Sequence, residues 1–409
     1  MATPEKKAPT ILTWRDLDPS YLDMLHEKIP ILFSDIDGVV LLDLVLNYVT
    51  ACESTSTNKN VYIIKTLHDI NQFLKILLGM ANDIEFNTGI KSGVITSNQL
   101  NNNNGELFLK YQEIRADTLI EAIISLTVHY YSEIHSYRNL VPELSVNHVK
   151  NIRFNKNNKA ERYVRSKTTS VNKQYIVQKM NKINGLTFGA FLKKMKDSDI
   201  SIEIFENFFI EILCKIADAL NNLQVSCNFI HGDFHLGNVM IKFIENNFNI
   251  EITGVEIIDF GHSIIQLPLI DKSKKILLLG VIDKNLERKN SFDFDEHLWL
   301  KCMDLYNLFN TLNQIFRRGN IKYKPVIDKF IDPLKNSMRK INKLILNNFN
   351  SLINSNCILY PEKFLEFICS KYKRKLNSKS NNEGEVLGGA RAQRENNGIA
   401  KKLAFGNNN

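Results

Sequence analysis

The sequence predicts an α+β fold in two lobes, a small β-rich one followed by a larger, mainly helical one. Three observations predict it. Short β-like pieces separated by turn residues fill Ile84–Tyr111, and helical spacing takes over at Asp117. A long amphipathic stretch, Ile202–Leu223, precedes a strand–turn–strand pattern over Val239–Ile258. From there to about Lys371 the pattern is mainly helical, and 409 residues are more than one ordinary domain needs.

In chain order, Ile11 to about Met80 mixes apolar runs with acids and is expected to form helices ahead of the main fold. The β-like pieces are Ile84–Phe86, Val94–Thr96 and Glu106–Lys110, with a hairpin turn at the asparagine run Asn101–Asn104. A helix is expected over Asp117–Arg138, where Leu119, Ile123, Ile124, Val128 and Tyr131 keep helical spacing. Lys150–Val171 is polar and basic, with two short strands at most. Tyr175–Met180 reads as a buried strand and Thr187–Lys196 as a short helix. The clearest helix carries the stripe Phe205, Phe208, Phe209, Ile212, Ile216, Leu220 and Leu223. The strands Val239–Ile244 and Ile250–Ile258 follow, joined by the turn Glu245–Asn249. The organisation expected is a helical extension at 1–80, a two-lobed domain at 81–371 dividing near 178/179, and a disordered polar tail at 372–409.

Composition narrows the function classes. The 52 Lys and Arg exceed the 44 Asp and Glu by a net +8, which permits an anionic partner without demanding one. No specific nucleic-acid binding is inferred. None of the six cysteines forms a C-x-x-C pair, and Met1–Thr10 is polar, so reduced thiols in an intracellular, cytoplasmic protein are expected and a zinc site is not. Ile31–Val49 has some membrane-span character, but Asp35, Asp37 and Asp43 interrupt it and no span is expected.

The chemistry concentrates in Phe229-Ile230-His231-Gly232-Asp233-Phe234-His235-Leu236-Gly237-Asn238-Val239-Met240-Ile241. Asp259 follows 21 positions after Asn238, within Ile257-Ile258-Asp259-Phe260-Gly261. The pattern is H-x-D-x-x-x-x-N, strand, turn, strand, D-F-G. It resembles the catalytic loop and metal-binding motif of the protein-kinase-like superfamily. Phosphoryl transfer places charge on the equatorial oxygens, so such a protein positions groups and stabilises charge. Asp233 suits the carboxylate that faces the acceptor hydroxyl. Asn238 and Asp259 suit the oxygen ligands that share Mg²⁺ with the phosphates of ATP. The hairpin between them would bring Asp259 back beside Asn238, and Gly261 would permit a chain reversal.

The resemblance spans roughly Ile84 to Phe316 and is similar to divergent kinases of large DNA viruses. It implies a bilobal protein-kinase-like fold, ATP and Mg²⁺ as cofactors, and a location in the cytoplasm, or in the virion if the protein is viral. Leu107-Phe108-Leu109-Lys110 resembles the strand whose lysine holds the α- and β-phosphates, with Lys65 as a competitor. Glu133, on the following helix, is the expected partner of Lys110, and Glu121 on the same helix competes. Gly89 and Gly93, in Thr88–Val94, form a candidate phosphate loop whose spacing departs from G-x-G-x-x-G. Tyr175–Met180 and the residues after it resemble the strand and hinge that receive adenine, with Lys179 and Met180 as backbone contacts.

Two departures bear on the substrate. Gly232 stands where protein kinases carry arginine, and His235 where they carry lysine. The H-G-D-x-H-x-x-N form is similar to aminoglycoside and choline phosphotransferases and to ABC1-type kinases. The intact D-F-G is similar to protein kinases. His235 either bonds the γ-phosphate or braces Asp233. Asp304 either ties down the catalytic loop or lies exposed on its helix. No A-P-E segment follows Gly261. The leading expectation is an ATP-dependent Ser/Thr protein kinase with a protein substrate. The alternatives are a small-molecule hydroxyl kinase and a pseudokinase scaffold. A second motif, Ile31–Val39 with Asp35 and Asp37, resembles the first motif of haloacid-dehalogenase-type phosphatases, but too few residues separate it from the next element for a parallel-sheet hydrolase.

Overall fold

The structure is a computed structural model that describes residues 13–33, 35–36, 39–46, 50–52, 84–86, 89–91, 94–97, 107–113, 116–137, 140–142, 144–149, 152–154, 175–198, 200–246, 249–273, 275–280, 300–317, 322–346 and 357–369. The chain divides into two units, Met1–Leu365 and Glu366–Asn409, and the elements below belong to the first. They mix helices with small sheets, as an α+β fold requires.

Helix α1 (Pro19–Lys28) starts where local chemistry favours a start. The Asp18 carboxylate accepts from the Ser20 N–H at 3.1 Å, and Pro19 takes the first helical position, where no N–H is needed. Strands β1 (Asp35–Ile36) and β2 (Val39–Val40) pair antiparallel, and helix α2 (Leu41–Leu46) and strand β3 (Thr50–Cys52) follow. Asp35 therefore sits in a short antiparallel hairpin rather than at the end of a parallel strand.

Next come β4 (Ile84–Phe86), β5 (Gly89–Lys91), β6 (Val94–Ser97), β7 (Leu107–Glu113), α3 (Ala116–Ile134), β8 (Leu144–Val149), β9 (Ile152–Phe154) and β10 (Tyr175–Asn181). Five of these strands form one sheet in the order β5-β6-β7-β10-β8, with every pairing antiparallel. Strand β10 lies inside it, which explains the run Ile176-Val177 with both side chains buried. Helix α3 is buried on every side from Thr118 to Val128, so its hydroxyls bond back to its own carbonyls: Ser125 to Glu121, Thr127 to Ile123 and Ser132 to Val128. The helix ends at Ile134, one turn before the expected Arg138. Ser136 turns left-handed at φ 56°, and the Tyr137 and Ser136 N–H groups close onto the Ser132 and Glu133 carbonyls.

The remainder comprises β11 (Gly185–Thr187), α4 (Phe188–Asp197), α5 (Ile202–Cys227), β12 (Val239–Asn246), β13 (Asn249–Ile257), β14 (Ile264–Gln266), β15 (Lys275–Leu279), α6 (Leu300–Arg317), α7 (Lys324–Ile331) and α8 (Lys335–Leu346). Helix α5 is capped by Ser201, whose hydroxyl accepts from the Ile204 N–H, and runs one turn past the expected Leu223 to a left-handed Asn228. Its stripe makes an aromatic core. Phe205 stacks on Tyr323 with centroids 4.1 Å apart, and Phe209 meets Phe330 edge-on at 5.3 Å. Burying each such ring contributes about 1.5–3 kcal/mol.

Two regions depart from the expected helices. After Gly261 the chain forms β14 and β15, which pair with each other and with β3 from the N-terminal segment. Ile264-Ile265 and Ile276–Leu279 are short apolar runs, and periodicity does not separate a buried strand from a buried helix in runs that short. The first eighty residues thus supply strands as well as helices. Residues 15–21 also reach α3 and the post-Gly261 segment: Asp18 N–H donates to the Pro268 carbonyl at 2.9 Å, and the Tyr21 and Thr127 hydroxyls meet at 2.6 Å. No helix among the described residues is long and apolar enough to cross a membrane. Lys65, Gly93 and the 372–409 tail lie outside the described residues.

Candidate active site

The segment from His231 to Asn238 carries no helix or strand, so its shape depends on side chains that bond its backbone. Asp304, fully buried on α6, supplies two of those bonds. Its Oδ2 accepts from the His231 N–H at 2.9 Å and its Oδ1 from the Gly232 N–H at 3.0 Å. Of the two readings of Asp304, the structure takes the one that ties down the loop. Burial pushes its carboxyl up to about 7, against the two N–H donors that favour the ionised form. At the start of the loop, Ile230 and Ile264 exchange backbone bonds of 2.9 and 2.8 Å. The Ser263 hydroxyl donates to the His231 carbonyl at 3.0 Å.

His231 is fully buried between Phe229, Phe234 and Phe260. Its Nε2 lies 2.9 Å from the Ile258 carbonyl, which only an N–H can satisfy, so the ring is neutral with its proton on Nε2. Burial lowers its pKa to about 4, and Nδ1 is left as a buried acceptor with no hydrogen-bond partner. The imidazole joins the loop to the strand that leads into Asp259.

Gly232 has a physical reason to depart from arginine. Its φ is +80°, and a Cβ there would stand 2.2 Å from the His262 carbonyl oxygen. Gly237 closes the loop's other end. Its N–H donates to His235 Nδ1 at 2.9 Å, and a Cβ would crowd the same ring at 2.8 Å. With Nδ1 accepting, Nε2 of a neutral His235 carries the proton, and it lies 3.7 Å from Asp233 Oδ2. That is ion-pair distance but too long for a hydrogen bond. Asn238 is buried and donates Nδ2 to the Asp233 carbonyl at 2.9 Å, so Oδ1 is the atom it has left to offer a cation.

The β12–β13 hairpin pairs Val239 with Ile257, and the Ile258 N–H donates to the Asn238 carbonyl at 3.1 Å. That register delivers Asp259 to the loop. Asp259 is left-handed at φ 70° and its Oδ1 accepts from Lys110 Nζ at 3.0 Å. The same ammonium donates to Glu121 Oε1 at 2.5 Å. Burial works against the charge on Lys110, but the Glu121 and Asp259 carboxylates outweigh it and hold the amine above its ordinary value. Asp259 is likewise disfavoured as an anion by burial, and Lys110 reverses this and holds its carboxyl below the usual range.

Glu133 is not the partner of Lys110. It lies 12 residues beyond Glu121 on α3, about 18 Å along the axis. It is 66% exposed and pairs with His129 at 3.3 Å. Glu121 is buried in the middle of the helix beside Lys110 of β7, whereas Glu133 stands at its exposed end.

Lys110, Glu121 and Asp259 line a cavity of about 340 Å³ whose other walls are largely apolar, with Val141, Leu144, Met240 and Ile258 among them. That size suits a small organic ligand. Met180 lines it, whereas Lys179 on the alternate face of β10 does not. Both residues have strand neighbours on each side, and the pairing with β8 stops after Met180. Asn181, which still pairs with Leu107 of β7, and Lys182 and Ile183 after it line the cavity too. Gly89 pairs with Thr96 where β5 meets β6, and residues 92–93 lie outside the described residues. A second cavity, of about 650 Å³, shares Asn181, Lys182 and Ile183 in its lining; Glu133 lines it and no residue of 231–238 does.

Sequence reasoning did not single out Gln112 and Gln178. Gln112 Nε2 donates to Glu121 Oε2 at 3.1 Å, and Gln178, almost fully buried, donates to Gln112 Oε1 at 3.4 Å. The available signal was a lone amide inside the apolar strand Ile176-Val177-Gln178.

No protein-family model and no curated protein matches the chain. Among solved structures it is similar to WaaP in complex with acyl carrier protein, at 9% identity and a TM-score of 0.30 over 72% of this chain and 91% of that one. A likeness that loose carries no functional argument, so function is read from the residues.

Proposed function

We propose that the chain is an ATP- and Mg²⁺-dependent phosphotransferase acting on an alcohol, built as a two-lobed protein-kinase-like domain with lobes at about 81–178 and 179–371. The observation that supports this most is the position of Lys110. One ammonium bonds Glu121 on α3 and Asp259 after the β13 strand, 149 residues away, in the lining of a largely apolar cavity. Such an arrangement suits a nucleotide with its base among the apolar walls and its phosphates towards Lys110.

In this reading the base meets the 181–183 segment of the cavity wall, and Lys110, aimed by Glu121, neutralises phosphate charge. Asn238 Oδ1 and the Asp259 carboxylate are hard oxygen donors of the kind Mg²⁺ prefers, and both belong to the catalytic loop and its paired hairpin. When bound, Mg²⁺ supplies charge neutralisation on the transferring group. Asp233, half exposed at the end of the bonded loop, orients the acceptor hydroxyl and takes its proton. His235, with its Nε2–H beside Asp233, donates to the transferring phosphoryl group.

A Ser/Thr side chain of a protein is our preferred acceptor, because the D-F-G segment is intact. A small hydroxyl compound is the second reading, and Gly232 favours it. A side chain at that position would be strained and would meet the His262 carbonyl, leaving no room for the arginine of protein kinases. Purified protein with Mg²⁺ and γ-labelled ATP separates them. Label on the chain itself or on a test protein supports the first, and label only on a small compound from an extract supports the second. Bound nucleotide without any transfer would leave a scaffold.

The ion pair makes a further test. Glu121→Gln is expected to slow transfer about tenfold or more, the weight of a charged hydrogen bond. Glu133→Gln, on the exposed end of α3, should stay within about 0.5 kcal/mol of wild-type stability and keep full activity. Equal losses in the two variants, measured by steady-state kinetics, would overturn the pairing assigned to Lys110.

A further inference from the structure

We infer that Gln112 and Gln178 are positioning residues that hold the Glu121–Lys110 pair and link it to the inner wall of the cavity. The inference rests on the phosphotransferase reading for its catalytic consequence, but not for its geometry. Lys110 and Gln112 are two apart on β7 and so point to the same face, and each takes one oxygen of the Glu121 carboxylate. With both oxygens bonded, the carboxylate cannot rotate about its terminal torsion, and the ammonium keeps one direction.

Gln112 is itself held. Its Oε1 accepts from Nε2 of Gln178, which lies on the neighbouring strand β10 beside Lys110 in the pairing register. Gln178 is 2% exposed and lines the 340 Å³ cavity that Lys110, Glu121 and Asp259 close. A buried amide is costly unless its groups are bonded, so Gln178 at this wall is a specific choice over the aliphatic residues before it. The chain Gln178–Gln112–Glu121–Lys110 therefore runs from the wall that receives a ligand to the cation that meets its phosphates. Each link fixes the amide or carboxylate orientation of the next, and a ligand that presses on Gln178 acts on Lys110 through three side chains.

Gln112→Leu and Gln178→Met keep volume and remove the hydrogen bonds. Gln112→Leu is expected to lower kcat about tenfold while KM for ATP stays near wild type. It should also lower the thermal midpoint somewhat, because Glu121 Oε2 and the buried Gln178 amide lose this partner. Gln178→Met is expected to act in the same direction and less, its bond being the longer. The double variant should be no worse than Gln112→Leu alone, because the chain is already cut. A purely structural role predicts a lowered midpoint with kcat of the folded enzyme unchanged and additive losses in the double variant, and that result overturns the inference.

A readout that needs no phosphoryl transfer keeps this separate from the functional reading. Acylation of Lys110 by a water-soluble lysine reagent, followed by peptide mass spectrometry, reports how firmly Glu121 holds the amine. Faster acylation in Gln112→Leu than in wild type supports the relay even if wild type transfers no phosphate. An unchanged rate rejects it even if wild type is a fully active kinase.

Discussion

Asp233→Asn is expected to cut phosphoryl transfer by about 10²–10⁴-fold, the loss typical of removing a positioned general base. Nucleotide affinity should barely change, and the geometry says why. The loop is shaped by bonds to its backbone, from Asp304 to the His231 and Gly232 N–H groups and from Asn238 to the Asp233 carbonyl. None involves the Asp233 side chain, which is 51% exposed and is not part of the cavity lining. An amide of the same shape removes the acceptor for the hydroxyl proton and leaves the scaffold intact. Single-turnover transfer from γ-labelled ATP and a nucleotide titration on the same preparation check both halves. A variant with wild-type transfer would remove Asp233 from the mechanism.

The second large effect is on stability. Asp304→Ala leaves the buried His231 N–H and the part-buried Gly232 N–H without this acceptor. The first costs about 1–3 kcal/mol and the second less, so the variant should lose roughly 1–4 kcal/mol by chemical denaturation. Asp304→Asn keeps one acceptor oxygen and turns the other position into a donor facing a donor, so a smaller loss is expected. The group also has a pH signature. Its folded-state pKa is raised from 3.8 to about 7, chiefly by burial, so the folded state holds a proton that the unfolded chain releases. Stability contributed by this proton is full below 3.8 and is lost as pH climbs towards about 7, at about 1.4 kcal/mol per pH unit. In Asp304→Asn that slope should disappear. A wild-type stability that rises over the window and an unchanged slope in the variant would contradict the burial of this carboxylate.

How much of the site was legible depends on distance along the chain. Asp233 and Asn238 lie five apart in one loop. The β12–β13 hairpin returns the chain beside it, with the Ile258 N–H on the Asn238 carbonyl just before Asp259. Local pattern and hairpin geometry therefore sufficed to bring that segment to the loop. Glu121 and Glu133 show the opposite. Both are acids on one apolar helix, and helix propensity and spacing treat them alike. Which one meets Lys110 depends on the face that α3 turns to β7, and packing sets that face. Gln112 and Gln178 carry no charge or motif, and they become partners only through the β7–β10 register. The strands after Gly261 were hidden because their pairing partner, β3, lies more than two hundred residues earlier.

Residue patterns alone settled what forms locally: the capped amphipathic helices, the β12–β13 hairpin, and a loop with an acid and an amide at fixed spacing. These follow from interactions within a few residues, whose geometry the backbone imposes. Tertiary packing alone settled which distant groups share a bond: Lys110 with Glu121 and Asp259, Asp304 with the loop, and the N-terminal strand with β15. The reason is physical. A buried charge or N–H is stable only beside a complementary group, and which group stands there is decided by how helices and sheets pack rather than by neighbours in the chain.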